Sequence, residues 1–354
     1  MKNLKMSNLK KKTLLFIDHP HHLKTKSTFF LRKIFEEKFK IKNIWSQNVN
    51  YKNLKNYNYI FLFQSFLKFE DLVKLRDKKI IWAPMYDSLK NFDSNIFKIC
   101  SLFKNIKILS FSKEITNICI KNKIKYLDVQ YMKKPLKVNF KPKKKLNIFF
   151  WYRGDVKLKE LINIVKYINY EKIYYYYLPD PTYRKPQEID LNFRKKFKID
   201  LIYGSYLKSN KTYIKFLKKS SINISSRRKE GIGMSNIEAM ICNNFLIGYN
   251  QNTIDQYIKN RKLGFLLNKN TNVNIINKNF INKFSKYRYE YYLKTFLNWK
   301  KQEKKILNIY NYSFKDDNKV SILFYWLYFN NVLYNFLFKL RKNIYNLRNN
   351  KNIN

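Results

Sequence analysis

Glycine is scarce in this chain, and its placement narrows the search for a ligand site. The 354 residues contain six glycines, and the first 153 residues contain none. Dinucleotide-binding domains need a glycine-rich turn after their first strand, where the backbone approaches a pyrophosphate. The missing turn disfavours a nicotinamide or flavin enzyme, and it predicts that any nucleotide site lies in the second half.

Cysteine and histidine are equally scarce, with three of each. Cys100, Cys119 and Cys242 have no paired spacing, and no histidine stands near them. Zinc sites and disulfide frameworks both require such spacing, so we expect no metal site and a reducing compartment. The only apolar run near the N-terminus ends at residue 17 and is too short for a signal peptide. We therefore expect a cytoplasmic protein.

Acidic residues are few, and the charge balance needs an explanation. The chain has 24 acidic and 73 basic residues, a formal net charge of +49. Lysine, asparagine, isoleucine, tyrosine and phenylalanine are abundant together, which is typical of an AT-rich coding sequence. Attraction to anionic lipids or anionic substrates is the other interpretation. No local basic cluster or nucleic-acid-binding module is recognisable, so we expect no specific nucleic-acid partner.

Short apolar runs alternate with helical patterns, as in an α/β protein with parallel sheets. We expect a helix over 25–39, 157–167, 211–218 and 253–260, another beginning near Ser235, and a proline-containing loop over 179–186. The runs that we interpret as strands are 13–17, 41–45, 59–63, 80–83, 108–111, 126–129, 146–151, 172–178, 200–203, 222–225, 244–249 and 263–267.

This pattern predicts two consecutive Rossmann-like domains, 1–138 and 146–312, joined by a linker over 139–145. A helical segment, 313–354, is expected to follow. Its stretch 320–340 is apolar and aromatic but is interrupted by asparagines, which are costly in hydrocarbon. Packing on the N-terminal domain and lying in a membrane interface both remain open for this segment.

The most informative stretch has two carboxylates, Glu230 and Glu238, eight positions apart. Gly231 and Gly233 lie between them, and an apolar helical pattern begins near Ser235. Glycines before a helix start let an anion approach free backbone N–H groups, and diphosphates bind at such places. Alternatively, Ser235 and Glu238 form a capping box that binds nothing.

This stretch resembles the signature of the retaining GT-B glycosyltransferases of the group 1 type. The matching residues are Glu230-Gly231-Ile232-Gly233, Glu238-Ala239-Met240 and Gly264-Phe265-Leu266. The resemblance implies two Rossmann-like domains facing a cleft, and retaining transfer of a sugar from a nucleotide-diphosphate donor without metal or cofactor. It further implies that Glu238 binds the ribose hydroxyls and that Glu230 lies by the donor sugar. The other expected donor-binding residues are Gly231, Gly233, Met234 and Ser235.

Two cations near the start of the second domain are the expected grip on the diphosphate. Arg153 follows the first strand of that domain, and Lys157 comes four residues later. The resemblance implies these positions, with Lys159 as a competing choice for the lysine. Fixed cations are needed because breaking the sugar–phosphate bond leaves growing negative charge on the diphosphate.

The acceptor side is predicted in the N-terminal domain. Asp18, His19, His21 and His22 follow its first strand, and Asp87 follows the strand at 80–83. Histidine titrates near neutrality and can assist proton transfer, although these are also ordinary loop residues. We expect a glycosyltransferase of surface-glycan synthesis, with a glycan or lipid-linked acceptor and peripheral contact with the inner face of the membrane. The alternative is an inactive GT-B scaffold that binds nucleic acid or membrane surfaces.

Overall fold

The computed structural model describes residues 11–92, 95–137, 145–179, 188–204, 211–251, 253–268 and 276–311. The predicted loop over 179–186, the linker over 139–145 and the segment 313–354 lie outside these residues, except for Pro179 and Lys145.

The first domain is a six-stranded parallel sheet with the strand order β2-β1-β3-β4-β5-β6. The core of β1, Leu14 to Ile17, is completely buried because helices cover both faces of the sheet. The strands are β1 (Lys12–Asp18), β2 (Phe39–Trp45), β3 (Tyr59–Phe63), β4 (Lys79–Ala83), β5 (Ile106–Ser110) and β6 (Tyr126–Asp128). The helices are α1 (His21–Thr25), α2 (Phe29–Glu36), α3 (Tyr51–Leu54), α4 (Phe69–Lys74), α5 (Ile96–Leu102) and α6 (Lys113–Lys121).

The second domain is another six-stranded parallel sheet, in the order β12-β11-β10-β7-β8-β9. The strand order reverses between β7 and β10, and open α/β sheets bind ligands outside the carboxyl ends of the strands at such a point. Its strands are β7 (Asn147–Tyr152), β8 (Lys172–Tyr177), β9 (Ile199–Tyr203), β10 (Ile222–Ile224), β11 (Phe245–Tyr249) and β12 (Gly264–Leu267). Its helices are α7 (Leu158–Val165), α8 (Leu191–Lys196), α9 (Lys211–Lys219), α10 (Met234–Ile241), α11 (Lys278–Lys283) and α12 (Ser285–Leu307).

The predicted fold class is confirmed, and every predicted strand is present, but two predicted helices are wrong in extent. The helix expected over 25–39 is α2 alone, because Lys26 adopts a left-handed conformation with φ 55° and Phe39 already begins β2. The helix expected over 253–260 is a single 3-10 turn, Ile254–Gln256. Thr253, just before this turn, donates a hydrogen bond to the carbonyl of Glu230, so the segment braces the neighbouring loop.

The last described helix carries the chain from the second domain back to the first. Tyr292 of α12 is buried and donates a hydrogen bond to the Leu263 carbonyl. Further along, Trp299 packs edge-on against Tyr131, and the Tyr310 hydroxyl donates to the Ile60 carbonyl at 2.8 Å. Counting only the residues that the structure describes, the chain therefore passes between the domains twice.

The two passes between the domains touch each other. Gln302 of α12 accepts a hydrogen bond from the backbone N–H of Gln130, 2.9 Å away on the first pass. Within the described ranges, no helix has both the length and the apolar composition needed to cross a membrane.

Candidate functional site

The loop between β10 and α10 lies at the reversal point of the second sheet. The helix begins at Met234, and Gly233 precedes it with φ 75°, a conformation that favours glycine. Ser235 is the second helical residue; it is buried, and its Oγ has no hydrogen-bond partner. The alternative capping box of Ser235 with Glu238 does not form, since no side chain caps this helix.

Glu230 is buried in this loop, and its backbone is held on both sides. Its N–H donates to Oε1 of Gln251 at 2.9 Å, and its carbonyl accepts from Thr253 at 2.7 Å. Its Oε1 lies 3.8 Å from Nη1 of Arg153, which follows β7. The loop backbone is therefore fixed while a carboxylate and a guanidinium face each other across the reversal point.

Arg153 and Lys157 have different surroundings. The Arg153 guanidinium lies 5.0 Å from the ring centroid of Trp151, and Gly154 turns the chain with φ 104°. Lys157 is exposed immediately before α7, and its backbone N–H donates to the carboxylate of Glu160. The structure thus brings Arg153, but not Lys157, into an ion pair with the motif glutamate; Lys159 is exposed on α7.

Glu238 lies on the second turn of α10, and its side chain is 12% exposed. Its Oε1 forms an ion pair of 2.6 Å with Nζ of Lys133, which lies between β6 and the second domain. Sequence reasoning missed Lys133 because one lysine in so basic a chain carries no signal of its own.

The first domain approaches this loop closely. A Cβ on Gly231 would lie 2.9 Å from Cβ of Met85 and 3.0 Å from Oδ1 of Asp87, so the contact depends on glycine. Oδ2 of Asp87 accepts from Nη1 of Arg227 at 3.3 Å. Asp87 follows β4 and Arg227 follows β10, so this ion pair joins the two domains across the cleft.

Asp87 has an unusual electrostatic environment. Burial raises its pKa above the ordinary value, while electrostatic interactions with Arg227, Arg153 and His22 oppose the rise. Its Oδ1 is buried and has no hydrogen-bond partner. Asp87 and His22, predicted from separate loops, are thus electrostatic neighbours beside Arg153.

Asp18 is buried at the end of β1, where it organises a network. Its Oδ1 lies 2.5 Å from Nδ1 of His22, and its Oδ2 accepts from Thr28 at 2.8 Å and from Arg32 at 2.9 Å. Burial raises the pKa of Asp18, but its interactions with His22, Thr28 and Arg32 outweigh this effect and hold the pKa below its ordinary value. Asp18 is thus saturated with donors and fixes the ring of His22.

The other two histidines lie beside this network. His19 is exposed, and its Nδ1 accepts a hydrogen bond from the backbone N–H of His21 at 3.2 Å. The ring of His22 lies edge-on to that of Phe63, with the ring centroids 5.2 Å apart, and this contact further restricts the orientation of His22. In the part of the chain that the structure describes, no three histidine, cysteine or carboxylate side chains are grouped so that they could hold a metal ion.

Comparison with known proteins finds a family match in the second domain. Residues 198–304 match the family Glycosyl transferases group 1, a range that includes β10, the motif loop and most of α12. No curated protein matches the sequence.

Solved structures with a similar fold cover most of the chain. Sucrose-phosphate synthase from Thermosynechococcus elongatus superposes with a TM-score of 0.60 and 9% identity, over 85% of this chain and 98% of that one. HepE from Anabaena, solved with UDP and glucose, superposes with a TM-score of 0.50 and 9% identity, over 84% of this chain and 98% of HepE. TarM superposes with a TM-score of 0.53 and 15% identity, over 71% of this chain and 54% of TarM. The chain therefore spans about half the length of TarM.

The fold and the family match point the same way. Two six-stranded parallel sheets, with the candidate site at the strand-order reversal of the second one, form the GT-B arrangement, and the family match lies on that second domain. The chain has the GT-B fold and resembles the group 1 glycosyltransferases, whose pattern its second domain carries.

Proposed function

We propose that this protein transfers the sugar of a nucleoside diphosphate sugar to a hydroxyl of a glycan or lipid-linked glycan, without a metal or cofactor. One observation carries the proposal. Glu230 and the amino end of α10, which lie inside the family match, meet Arg153 at the reversal point of the sheet, and Asp87 approaches the same loop from the other domain. This arrangement can bind an anion on the second domain and a hydroxyl on the first domain.

The donor is bound, in this proposal, at the start of α10. The first helical N–H groups and the positive end of the helix dipole face the diphosphate, and Arg153 adds a fixed cation. When the sugar–phosphate bond breaks, negative charge grows on the leaving diphosphate, and these groups stabilise it. Lys157 is close in sequence and exposed, so it is the cation that can move onto the phosphates.

Glu238 receives the ribose hydroxyls, and Glu230 lies by the donor sugar. The side chain of Glu238 is only 12% exposed. Its carboxylate therefore accepts hydrogen bonds from a diol more strongly than a fully hydrated carboxylate would. UDP is the first nucleotide to test, because HepE, which has the same fold, was solved with UDP and glucose.

The acceptor hydroxyl approaches from the first domain, near His22 and Asp87. His22 is held in one orientation by Asp18, as a base held by a third group. Asp87 offers a buried oxygen without a hydrogen-bond partner. Retention of the anomeric configuration, implied by the resemblance, completes the proposal, and proton NMR of the first product formed would check it. Peripheral contact with anionic lipid at the inner face of the membrane remains a prediction from the charge.

Calorimetry with UDP, GDP and ADP tests the proposal. We expect one of them to bind, and Glu238→Ala to weaken that binding about tenfold or more, because a charged hydrogen bond contributes about 1.5–3 kcal/mol. Glu290→Ala is a matched control, since Glu290 is an exposed helical glutamate. Unchanged binding in Glu238→Ala would contradict the role of Glu238. Absence of all nucleotide binding, together with salt-sensitive RNA binding, would favour an inactive scaffold.

A further inference from the structure

Lys133 lies in a connecting segment, residues 129–137, that leaves the first domain after β6. This segment is held against the second domain at both ends. The Tyr131 carbonyl accepts from the hydroxyl of Tyr257 at 2.7 Å, and the Leu136 N–H donates to the carbonyl of Ile241, the last residue of α10, at 2.9 Å. The position of Lys133 relative to Glu238 is therefore set by the backbone on both sides.

The side chains around Lys133 restrict the segment further. The ring of Tyr131 stacks on Phe30 with centroids 4.0 Å apart, and Met132 is buried. Pro135 limits the conformation of the residue before it. The lysine thus extends from a braced backbone, and its ammonium meets Glu238 at 2.6 Å with 32% of the side chain exposed.

The chemistry of this pair suits a diol. An ionised carboxylate accepts through two oxygens, and Lys133 contacts Oε1 of Glu238. The ammonium has three donors, so Lys133 can hold the carboxylate and still donate to a hydroxyl oxygen. A ribose hydroxyl both donates and accepts, so the pair offers it complementary partners.

We propose that Lys133 is a positioning residue of the ribose subsite, which orients Glu238 and thereby sets the preference of the protein for ribonucleotides. This inference rests on the proposed function. The partly buried carboxylate of Glu238 keeps its orientation because a cation from the connecting segment is fixed beside it, and it loses that orientation when the cation is removed.

The test compares two ligands in each protein: UDP and 2′,3′-dideoxy-UDP, or the corresponding GDP or ADP pair if calorimetry selects that base. The wild type should prefer the ribose form about tenfold or more, as expected for a charged hydrogen bond. In Lys133→Met this preference should fall below about threefold, and Lys133→Arg should restore part of it. Lys134→Met is the matched control, because Lys134 is the exposed neighbouring lysine.

The outcomes separate the two claims. A Lys133→Met protein that keeps the full ribose preference overturns the role of Lys133 and leaves the proposed function intact. A wild type that binds no nucleotide overturns the proposed function, and the inference with it. Equal weakening of both ligands indicates a structural role and also overturns the inference. Should Lys133→Met fail to fold by calorimetric melting, Lys133→Gln gives the same comparison.

Discussion

Two aspartates at the same edge of the first sheet differ in almost every respect. Asp18 at the end of β1 is surrounded by donors from its own domain, and its pKa is lowered. Asp87, four residues after β4, reaches Arg227 of the other domain at 3.3 Å, and its pKa is raised by burial. The first carboxylate is satisfied before any ligand arrives, and the second has a buried oxygen without a partner.

The difference separates residues that build the site from residues available to a ligand. A carboxylate with several donors stabilises the fold and orients its neighbours, and it has little capacity left for substrate. A carboxylate that bridges two domains through one long contact can exchange that contact when a ligand enters. If the acceptor hydroxyl binds near His22 and Asp87 as proposed, Asp18 acts through His22, whereas Asp87 acts directly.

The largest effect is expected at Asp18. Asp18→Asn leaves the buried guanidinium of Arg32 without its counter-charge, and breaking such a pair costs about 3–5 kcal/mol of unfolding free energy. Urea denaturation measures this loss. Asp77→Asn is the control, because that side chain is 65% exposed and its loss should change stability little. If both variants were equally stable, Asp18 would not stabilise the fold, and its contrast with a carboxylate that is available to a ligand would be lost.

Removing the cation at the reversal point should affect catalysis instead of folding. Arg153→Ala is expected to slow turnover about a hundredfold, because it removes a preorganised charge that stabilises the leaving diphosphate. Turnover of the nucleotide sugar and the melting temperature are measured together, with Arg76→Ala, an exposed arginine of the first domain, as control. A lower melting temperature with unchanged turnover would make Arg153 a structural residue like Asp18.

The smallest effect, and the one that sharpens the comparison most, is the pH dependence of stability. Asp18 has a lowered pKa, so its contribution is present above the ordinary value of 3.8 and is lost as the pH falls through the lowered pKa. Asp87 has a raised pKa, so stability is lost as the pH rises from 3.8 through that raised value. Asp87→Asn should therefore gain stability relative to wild type between pH 4 and pH 7. Urea midpoints at the two pH values check the sign, and a relative loss would contradict the environment assigned to Asp87.

Most of the fold could be predicted from sequence because most of its strands, such as β1, β5 and β11, are buried on both faces. Such strands appear as short continuous apolar runs, and each predicted run lies on an observed strand. The motif loop was equally visible, since few residue types can occupy it: Gly233 has φ 75°, and Gly231 has no room for a side chain. The roles of Glu230 and Glu238 in donor binding remain predictions.

The misses have a common physical origin in contacts between distant parts of the chain. The 23-residue helix α12 was not predicted, although Tyr292, Trp299 and Ile306 recur every seven residues along it. The signal was weak because this helix packs on two domains in turn and carries many lysines. Arg227 and Lys133 were missed for a related reason, since their partners Asp87 and Glu238 are 140 and 105 residues away.

The contact between Gln130 and Gln302 has a mechanical consequence. Among the described residues, the stretch that leaves the first domain and the stretch that returns to it run side by side at that point, so it can act as a pivot. Turning one domain about the pivot would widen or narrow the gap between Asp87 and Arg227. The same architecture that anchors the end of α12 on the first domain therefore favours rocking of the domains over sliding of one past the other.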